Sequence, residues 1–303
     1  MNVVALTLSY PPARRVGAEL ALHHVLAHLA AHGHDVQVIT QAVTGRRIVD
    51  GVKVSPVGAR RPNGDVLVVN AGLAKKARTW WPRTPMVVWA HNNQLPTILD
   101  VRAAKPDLLV TNTMHMRDVY RSVIGMPSLV LHPYSAPAAP CVTGEAVTLV
   151  NCTPDKGSAV FWDLAEQNPA VPFIAVRGGY GDQDLRDLPN VDVVNHGDLH
   201  DVWARTRVML LPSRHESYSM TAAEATNRGI PVVASDLPGV REACGYGAVY
   251  TTDRWGAALE DALARWDELS TNALIHAATR RPDRELAAVV DVIEGFRNTE
   301  LVA

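Results

Sequence analysis

The sequence predicts an α/β protein of two Rossmann-like domains, each built on a mostly parallel sheet. Three observations carry this. Short apolar runs alternate with helical patterns along the 303-residue chain, the rhythm of strand–helix–strand units joined by right-handed crossovers. A proline-rich stretch without periodicity, Tyr134 to Pro140, separates the runs into two sets. Charge also changes sign there: up to Pro140 there are 15 Lys+Arg and 7 Asp+Glu, and from Cys141 onward 14 and 24. The expected boundaries are 1–135 for the first domain, 136–145 for the linker and 146–284 for the second domain. Residues 285–303 are the candidate to cross back onto the first.

The first sheet is expected from Val3–Leu8, Val36–Thr40, Val52–Val57, Val66–Val69, Met86–Ala90, Leu108–Thr111 and Leu129–Leu131, all rich in β-branched and aliphatic residues. Gly17–Ala31 reads as a helix, with Ala18, Leu22, Val25, Leu26 and Leu29 on one stripe. The second sheet is expected from Val147–Asn151, Phe173–Val176, Val191–Asn195, Val208–Leu211, Val232–Ala234 and Val249–Thr251. Ser158–Gln167 and Thr221–Arg228 are helices between its strands, and Arg284–Arg297 is the last helical stretch.

At 47% hydrophobic and 20% charged residues, the composition is that of an ordinary globular protein. Three cysteines, Cys141, Cys152 and Cys244, lack paired or metal-like spacing, so a reducing, cytoplasmic setting is expected. No secretory signal is visible before the first strand, so none is expected, and no apolar stretch reaches bilayer length.

The most informative segment runs from Pro212 to Ala225, with Glu216 and Glu224 separated by seven residues. It lies between the apolar run ending at Leu211 and the turn-and-strand Gly229 to Asp236. The first carboxylate therefore stands where the chain leaves a strand, and the second is expected about two turns into the helix. Both can face the carboxyl end of a parallel sheet, where open α/β sheets bind ligands. Carboxylates accept hydrogen bonds from hydroxyls, so the pair suits a sugar and a ribose. Lys156 follows a strand and precedes a helix start, whose free N–H groups attract anions; a diphosphate suits that place. Arg177, ending the next strand, can fork two phosphate oxygens. Its neighbours Gly178-Gly179-Tyr180-Gly181 lack the spacing of a dinucleotide fingerprint. Gly17 stands at the first strand-to-helix loop, where a missing Cβ lets a phosphate approach.

This ordered set resembles the family 4 retaining glycosyltransferases. The resemblance rests on Tyr10-Pro11-Pro12 with Val16-Gly17-Ala18-Glu19, Gly33 to Thr40, Val87 to His91, Pro154-Asp155-Lys156-Gly157, the segment around Glu216 and Glu224, and Ser235 to Glu242. It implies the GT-B fold, with two parallel sheets facing an interdomain cleft. It implies retaining transfer from a nucleotide-diphosphate sugar, UDP- or GDP-linked, with no metal or other cofactor. Glu216 would contact donor-sugar hydroxyls, Glu224 the ribose and Lys156 the departing diphosphate. His91 would bind and position the sugar, and the backbone of Ser217, Tyr218, Ser219 and Met220 would lie near sugar and phosphate. Asn151 belongs to the same donor side. Two departures stand out. The arginine usually found shortly before the lysine is absent from Val150-Asn151-Cys152-Thr153, and Ser217 and Ser219 occupy positions where glycine is usual.

The basic first half points to an anionic partner. Its acceptor-side candidates are Arg14, Arg15, Lys75, Lys76, Arg78 and Arg83, with Trp80 and Trp81 as stacking or interfacial groups. The acceptor would be a hydroxyl of a modified DNA base, or an anionic lipid or glycan at a membrane surface; a neutral small acceptor also stays open. His24, His28 and His32 recur at metal-like spacing but equally fit the polar flank of an amphipathic helix. The alternative functions are a GT-B nucleotide-sugar epimerase, a glucan synthase, or a non-catalytic nucleotide-sugar or nucleic-acid binding module.

Overall fold

The computed structural model describes residues 1–12, 17–58, 61–135, 138–140, 144–195, 197 and 199–296. It divides into two compact units, Met1–Tyr134 with Pro282–Ala303, and Ser135–Arg281. Both are doubly wound α/β structures, as the alternating pattern requires.

In chain order the first unit contains β1 (Asn2–Thr7), α1 (Gly17–Ala31), β2 (Asp35–Thr40), β3 (Arg47–Val49), β4 (Val52–Pro56), β5 (Val66–Asn70) and α2 (Ala74–Trp80). It continues with β6 (Met86–Ala90), α3 (Leu95–Ala104), β7 (Leu108–Thr111), α4 (Met114–Ile124) and β8 (Leu129–Val130). The eight strands lie in the order β3-β4-β2-β1-β5-β6-β7-β8, and every pairing except β3 with β4 is parallel. Central strands are buried on both faces, which explains why they read as unbroken apolar runs. Along β1, Val3 and Ala5 pack with Leu22, Leu26 and Leu29 of α1, while Val4 and Leu6 turn to Ala74 and Ala77 of α2 and Ile98 of α3. Each of those three α1 leucines is essentially inaccessible, worth about 1.5–3 kcal/mol apiece.

The sequence reading missed β3. Its signal was Asp50-Gly51: both residues have positive φ, 45° and 80°, and Val49 pairs with Val52 across them. That is the two-residue hairpin turn Asp-Gly favours.

The second unit contains β9 (Ala146–Val150), α5 (Ser158–Gln167), β10 (Phe173–Val176), β11 (Val191–Val194), α6 (His200–Arg205) and β12 (Thr206–Leu211). Then follow α7 (Met220–Asn227), β13 (Val232–Ser235), α8 (Pro238–Cys244), β14 (Ala248–Thr251), α9 (Trp255–Ala264) and α10 (Trp266–Thr279). Its six strands are all parallel, in the order β11-β10-β9-β12-β13-β14. Strand order reverses between β9 and β12, and ligands of doubly wound sheets bind at the carboxyl ends of the strands flanking such a switch point.

The chain then returns to the first unit as α11 (Pro282–Gly295). Val289, Val290 and Ile293 join the core beneath α1. Glu285 accepts a 2.8 Å hydrogen bond from the His132 amide, and Glu294 lies 2.7 Å from His34 Nε2. The returning segment is acidic. The first unit therefore holds 17 Lys+Arg and 12 Asp+Glu, net +5, and the second 12 and 19, net −7. The split is smaller than the +8 and −10 read along the linear chain. Among the described residues no helix is long and apolar enough to cross a membrane.

Candidate functional site

The segments that follow β9 and β12 are locked together. After β9 the chain makes a one-turn 3-10 helix, Pro154–Lys156, and Gly157 starts α5 at φ +79°. A Cβ on Gly157 would stand 2.3 Å from the Pro212 carbonyl oxygen, so only glycine permits this approach. The Arg214 amide donates to the Asp155 carbonyl at 2.9 Å. These contacts bring Lys156 Nζ to 2.5 Å from Glu216 Oε1, and Ser213 Oγ donates to the same oxygen at 3.0 Å. The Lys156 and Glu216 side chains are 20% and 12% exposed. Burial alone lowers the pKa of the Lys156 ammonium. The charge and hydrogen bond of Glu216 outweigh it, with Tyr180 adding to them, and the net shift is upward. Lys156 is thus a fixed cation at the switch point. Ser213 was not singled out from the sequence; its place three residues before Glu216 was the available signal.

The loop after β10 folds over the same edge. Gln183 Oε1 accepts from the amides of Cys152 and Gly178, and Gln183 Nε2 donates to Asn151 Oδ1 at 3.0 Å. Asn151 is therefore committed to holding this loop and adopts φ +71°. Arg177 is exposed, and among the described residues its guanidinium makes no ion pair. Burial first, then Asp184, pushes the Cys152 thiol up to about 12, with Arg177 opposing, so it is no nucleophile at neutral pH. The start of α5, expected to receive a diphosphate, already has a carboxylate beside it: Ser158 Oγ donates to Asp184 Oδ2 at 2.9 Å.

Residues 217–220 form the turn into α7. Tyr218 is 2% exposed and its hydroxyl accepts from Arg280, so only its backbone remains for a ligand. Ser219 caps α7 at φ +100°, in the region that favours glycine. Gly239, at the start of α8, packs so tightly that a Cβ would stand 2.2 Å from the Ser217 carbonyl oxygen. Met220 and Glu224 are half-buried on α7. Glu224 is the fifth residue of that helix, little more than one turn in and not two, because α7 begins at Met220.

In the first unit, His91 follows β6 and Gly17 begins α1. His91 Nδ1 is buried without a hydrogen-bond partner. Burial pushes the imidazole below its ordinary pKa, Glu19 opposing, so His91 is neutral at pH 7. Glu19, in the first turn of α1, accepts from Ser9 Oγ at 2.5 Å through Oε1, and its Oε2 is also buried and unpartnered. Buried polar atoms rarely stay unpaired, so these two mark a place for a hydrogen-bonding ligand or water. The sequence reading gave Glu19 no role; it was legible only as part of a motif.

Some acceptor-side candidates are engaged by the fold. The Arg78 guanidinium donates to the carbonyls of Thr84, Ala104 and Lys105 and to Asp107, fastening α2 to α3. Trp81 is 7% exposed and donates to the Pro62 carbonyl. Arg78 and Trp81 are therefore structural. Lys75, Lys76 and Arg83 are exposed, and Trp80 is half-buried. Arg14 and Arg15 lie outside the described residues. His24 packs edge-on against Tyr134, whereas His28 and His32 stack on each other, and among the described residues no three His, Cys, Asp or Glu gather as metal ligands.

The sequence profile described as "Glycosyl transferases group 1" matches residues 159–266, which include Glu216 and Glu224. Within the second unit the chain is thus similar to the group 1 glycosyltransferases. A stretch of 88 residues is 35% identical to the D-inositol 3-phosphate glycosyltransferase of Gordonia bronchialis, covering 26% of this chain. The matched stretch spans 19% of that relative's length. In fold, the chain is similar to sucrose-phosphate synthase from Thermosynechococcus elongatus, with TM-score 0.79 and 15% identity over 99% of this chain and 100% of that one. It is also similar to Anabaena HepE in complex with UDP, with TM-score 0.77 and 16% identity over 97% of this chain and 100% of that one. The fold is GT-B.

Proposed function

We propose that this protein is a glycosyltransferase that moves a sugar from a nucleotide-diphosphate sugar to an acceptor hydroxyl, with retention at the anomeric carbon and without a metal ion. The observation that carries the reading is the Lys156–Glu216–Ser213 cluster at the β9/β12 switch point. As the donor bond breaks, negative charge builds on the leaving diphosphate. A fixed ammonium stabilises that charge more in the transition state than in the ground state. Arrival of the diphosphate competes for Lys156 and frees Glu216 to accept hydrogen bonds from sugar hydroxyls. Arg177 supplies a second cation, and the backbone entering α7 supplies N–H donors. Glu224 takes the ribose hydroxyls. With charge provided by Lys156 and Arg177, no divalent ion is needed.

A UDP-sugar is the first donor to test, because the fold is shared with HepE, whose structures include complexes with UDP and with UDP-glucose. The acceptor belongs to the first unit, whose net charge of +5 favours an anionic molecule. His91 presents an unpartnered ring nitrogen there and Glu19 an unpartnered carboxylate oxygen. The test is to screen nucleotide sugars by thermal shift, then follow cleavage of the donor that binds, with and without EDTA, and read the product's anomeric configuration by NMR. A thermal shift with slow donor hydrolysis, unaffected by EDTA, is the expected result. No shift with any nucleotide sugar, or activity abolished by EDTA and restored by Mg²⁺ or Mn²⁺, would overturn the corresponding part.

A further inference from the structure

An open recess of about 290 Å³ in the first unit is lined by Arg46, Arg61, Pro62 and Asn63. Arg46 directly precedes β3, and the other three lie on the crossing from β4 to β5. None of the four is acidic, and among the described residues neither arginine has a carboxylate partner. The nearest acid along the chain, Asp65, accepts a 2.7 Å hydrogen bond from the Asn2 amide.

The recess is built rather than a chance of surface side chains. Trp81 Nε1 donates to the Pro62 carbonyl at 3.0 Å and anchors the crossing segment. Gly64 presses it onto the sheet: a Cβ there would stand 2.8 Å from Val4 Cγ2. The Arg61 guanidinium carbon lies 4.2 Å from the centre of the Trp80 ring, and Lys76 Nζ lies 4.8 Å from the same ring. A guanidinium resting on an aromatic face loses little further freedom when it binds. Cations gathered without a counter-charge repel one another, and an anion placed among them relieves that repulsion. The planar fork of arginine matches two oxygens of a phosphate, and the Asn63 amide adds a neutral donor or acceptor. The volume is near the lower end for small-molecule sites and has room for a pyrophosphate or a phosphorylated head group.

We propose that this recess is a phosphate-ester binding site built entirely from the first unit, with Arg46 and Arg61 as the anion fork and Trp80 as the platform that holds Arg61. As the place where an acceptor's phosphate docks, it rests on the transferase reading above; as an anion site, it stands on its own geometry.

The test titrates inorganic pyrophosphate into the full chain by calorimetry at low salt. A Lys156→Ala/Arg177→Ala background keeps the second unit's two donor-side cations from contributing. The Arg46→Ala/Arg61→Ala variant is expected to weaken binding at least tenfold, and Arg61→Lys, which keeps charge but loses the fork, several-fold. Arg102→Ala/Arg121→Ala removes the same charge from exposed positions of the first unit outside the recess lining and should change binding less than twofold. An absence of pyrophosphate binding in the parent chain, or equal losses in the two double variants, would overturn the site. Vesicles of phosphatidylglycerol in phosphatidylcholine, compared with pure phosphatidylcholine, identify the source. Sedimentation that depends on Arg46 and Arg61 assigns a lipid head group; loss of pyrophosphate binding without it assigns a soluble phosphorylated ligand. Thermal shift with UDP-glucose on an Arg46→Ala/Arg61→Ala chain that retains Lys156 separates the two proposals. A retained shift shows the donor site intact. A shift absent from the wild-type chain too rejects that donor and leaves the recess result standing.

Discussion

Lys156 Nζ lies 2.5 Å from Glu216 Oε1, although 60 residues separate them in the chain. The pair joins the loops after the two strands that flank the reversal of strand order, so its geometry reports on both.

Lys156→Ala and Glu216→Gln are each expected to lower turnover at least about tenfold, the scale of losing one charge contact in the transition state. Lys156→Ala also leaves a partly buried carboxylate without its cation and should cost about 2 kcal/mol in denaturant unfolding. Lys156→Met with Glu216→Leu removes both charges and should recover most of that stability while remaining inactive. Wild-type turnover in either folded single variant would refute the assignment.

Gly157→Ala is expected to destabilise the second unit by about 2 kcal/mol or more. The residue has φ +79°, and its added Cβ would collide with backbone at Pro212. Gly256→Ala, in α9 with nothing within 4 Å of its Cβ, should be neutral or stabilising by up to about 1 kcal/mol. Urea midpoints of the two variants give the comparison; equal midpoints would show that the close approach does not matter.

Ser219 tests how the second unit tolerates a non-glycine residue at φ +100°. Ser219→Gly relieves strain but loses the weak cap to the Ala222 amide and loosens the unfolded chain, so stability should change by less than about 1 kcal/mol. Ser219→Val keeps the strain, adds β-branching and loses the cap, and should cost about 2 kcal/mol or more. Thermal unfolding with similar losses for both would contradict this account of the turn.

His24 and His91 both have pKa values pushed down, chiefly by burial. In the unfolded chain they protonate near 6.5. Below that pH the unfolded state binds more protons, so they favour unfolding as pH falls from about 6.5 towards the depressed folded-state values; above it they have no effect. The melting temperature should therefore drop between pH 7 and 5.5. A His24→Gln/His91→Gln chain should show a shallower slope over that window. An unchanged slope would assign the dependence to other groups.

Much of the fold was legible in the sequence because central parallel strands are buried on both faces and must be apolar. Thirteen of the fourteen strands among the described residues were readable within a residue or two. Helices α1 and α5 could be read to the residue, since an apolar stripe runs along each, Gly17 and Gly33 bracket α1, and Gly157 and Asn168-Pro169 bracket α5. The strand missed, β3, is exposed and carries no apolar run; only its Asp50-Gly51 turn betrayed it.

By itself the sequence determined which residues stand at strand ends: Lys156, Arg177, His91 and Glu216 follow apolar runs, and chain connectivity places a loop there. What those loops touch was decided by the tertiary structure. Side-chain partners come from segments far apart in the chain and from the space left between them. That is why Ser213 and Glu216 converge on Lys156, and why Asn151 turns to Gln183. It is also why Asp184 stands at the start of α5 and Glu19 keeps a buried oxygen unpaired. The same holds for charge. A linear count cannot know that acidic α11 folds back onto the basic first unit, nor that Arg78 is consumed by carbonyls while Arg46 and Arg61 share one recess. Strand position follows from local hydrophobicity, whereas a cation's availability depends on every group the fold brings within reach of it.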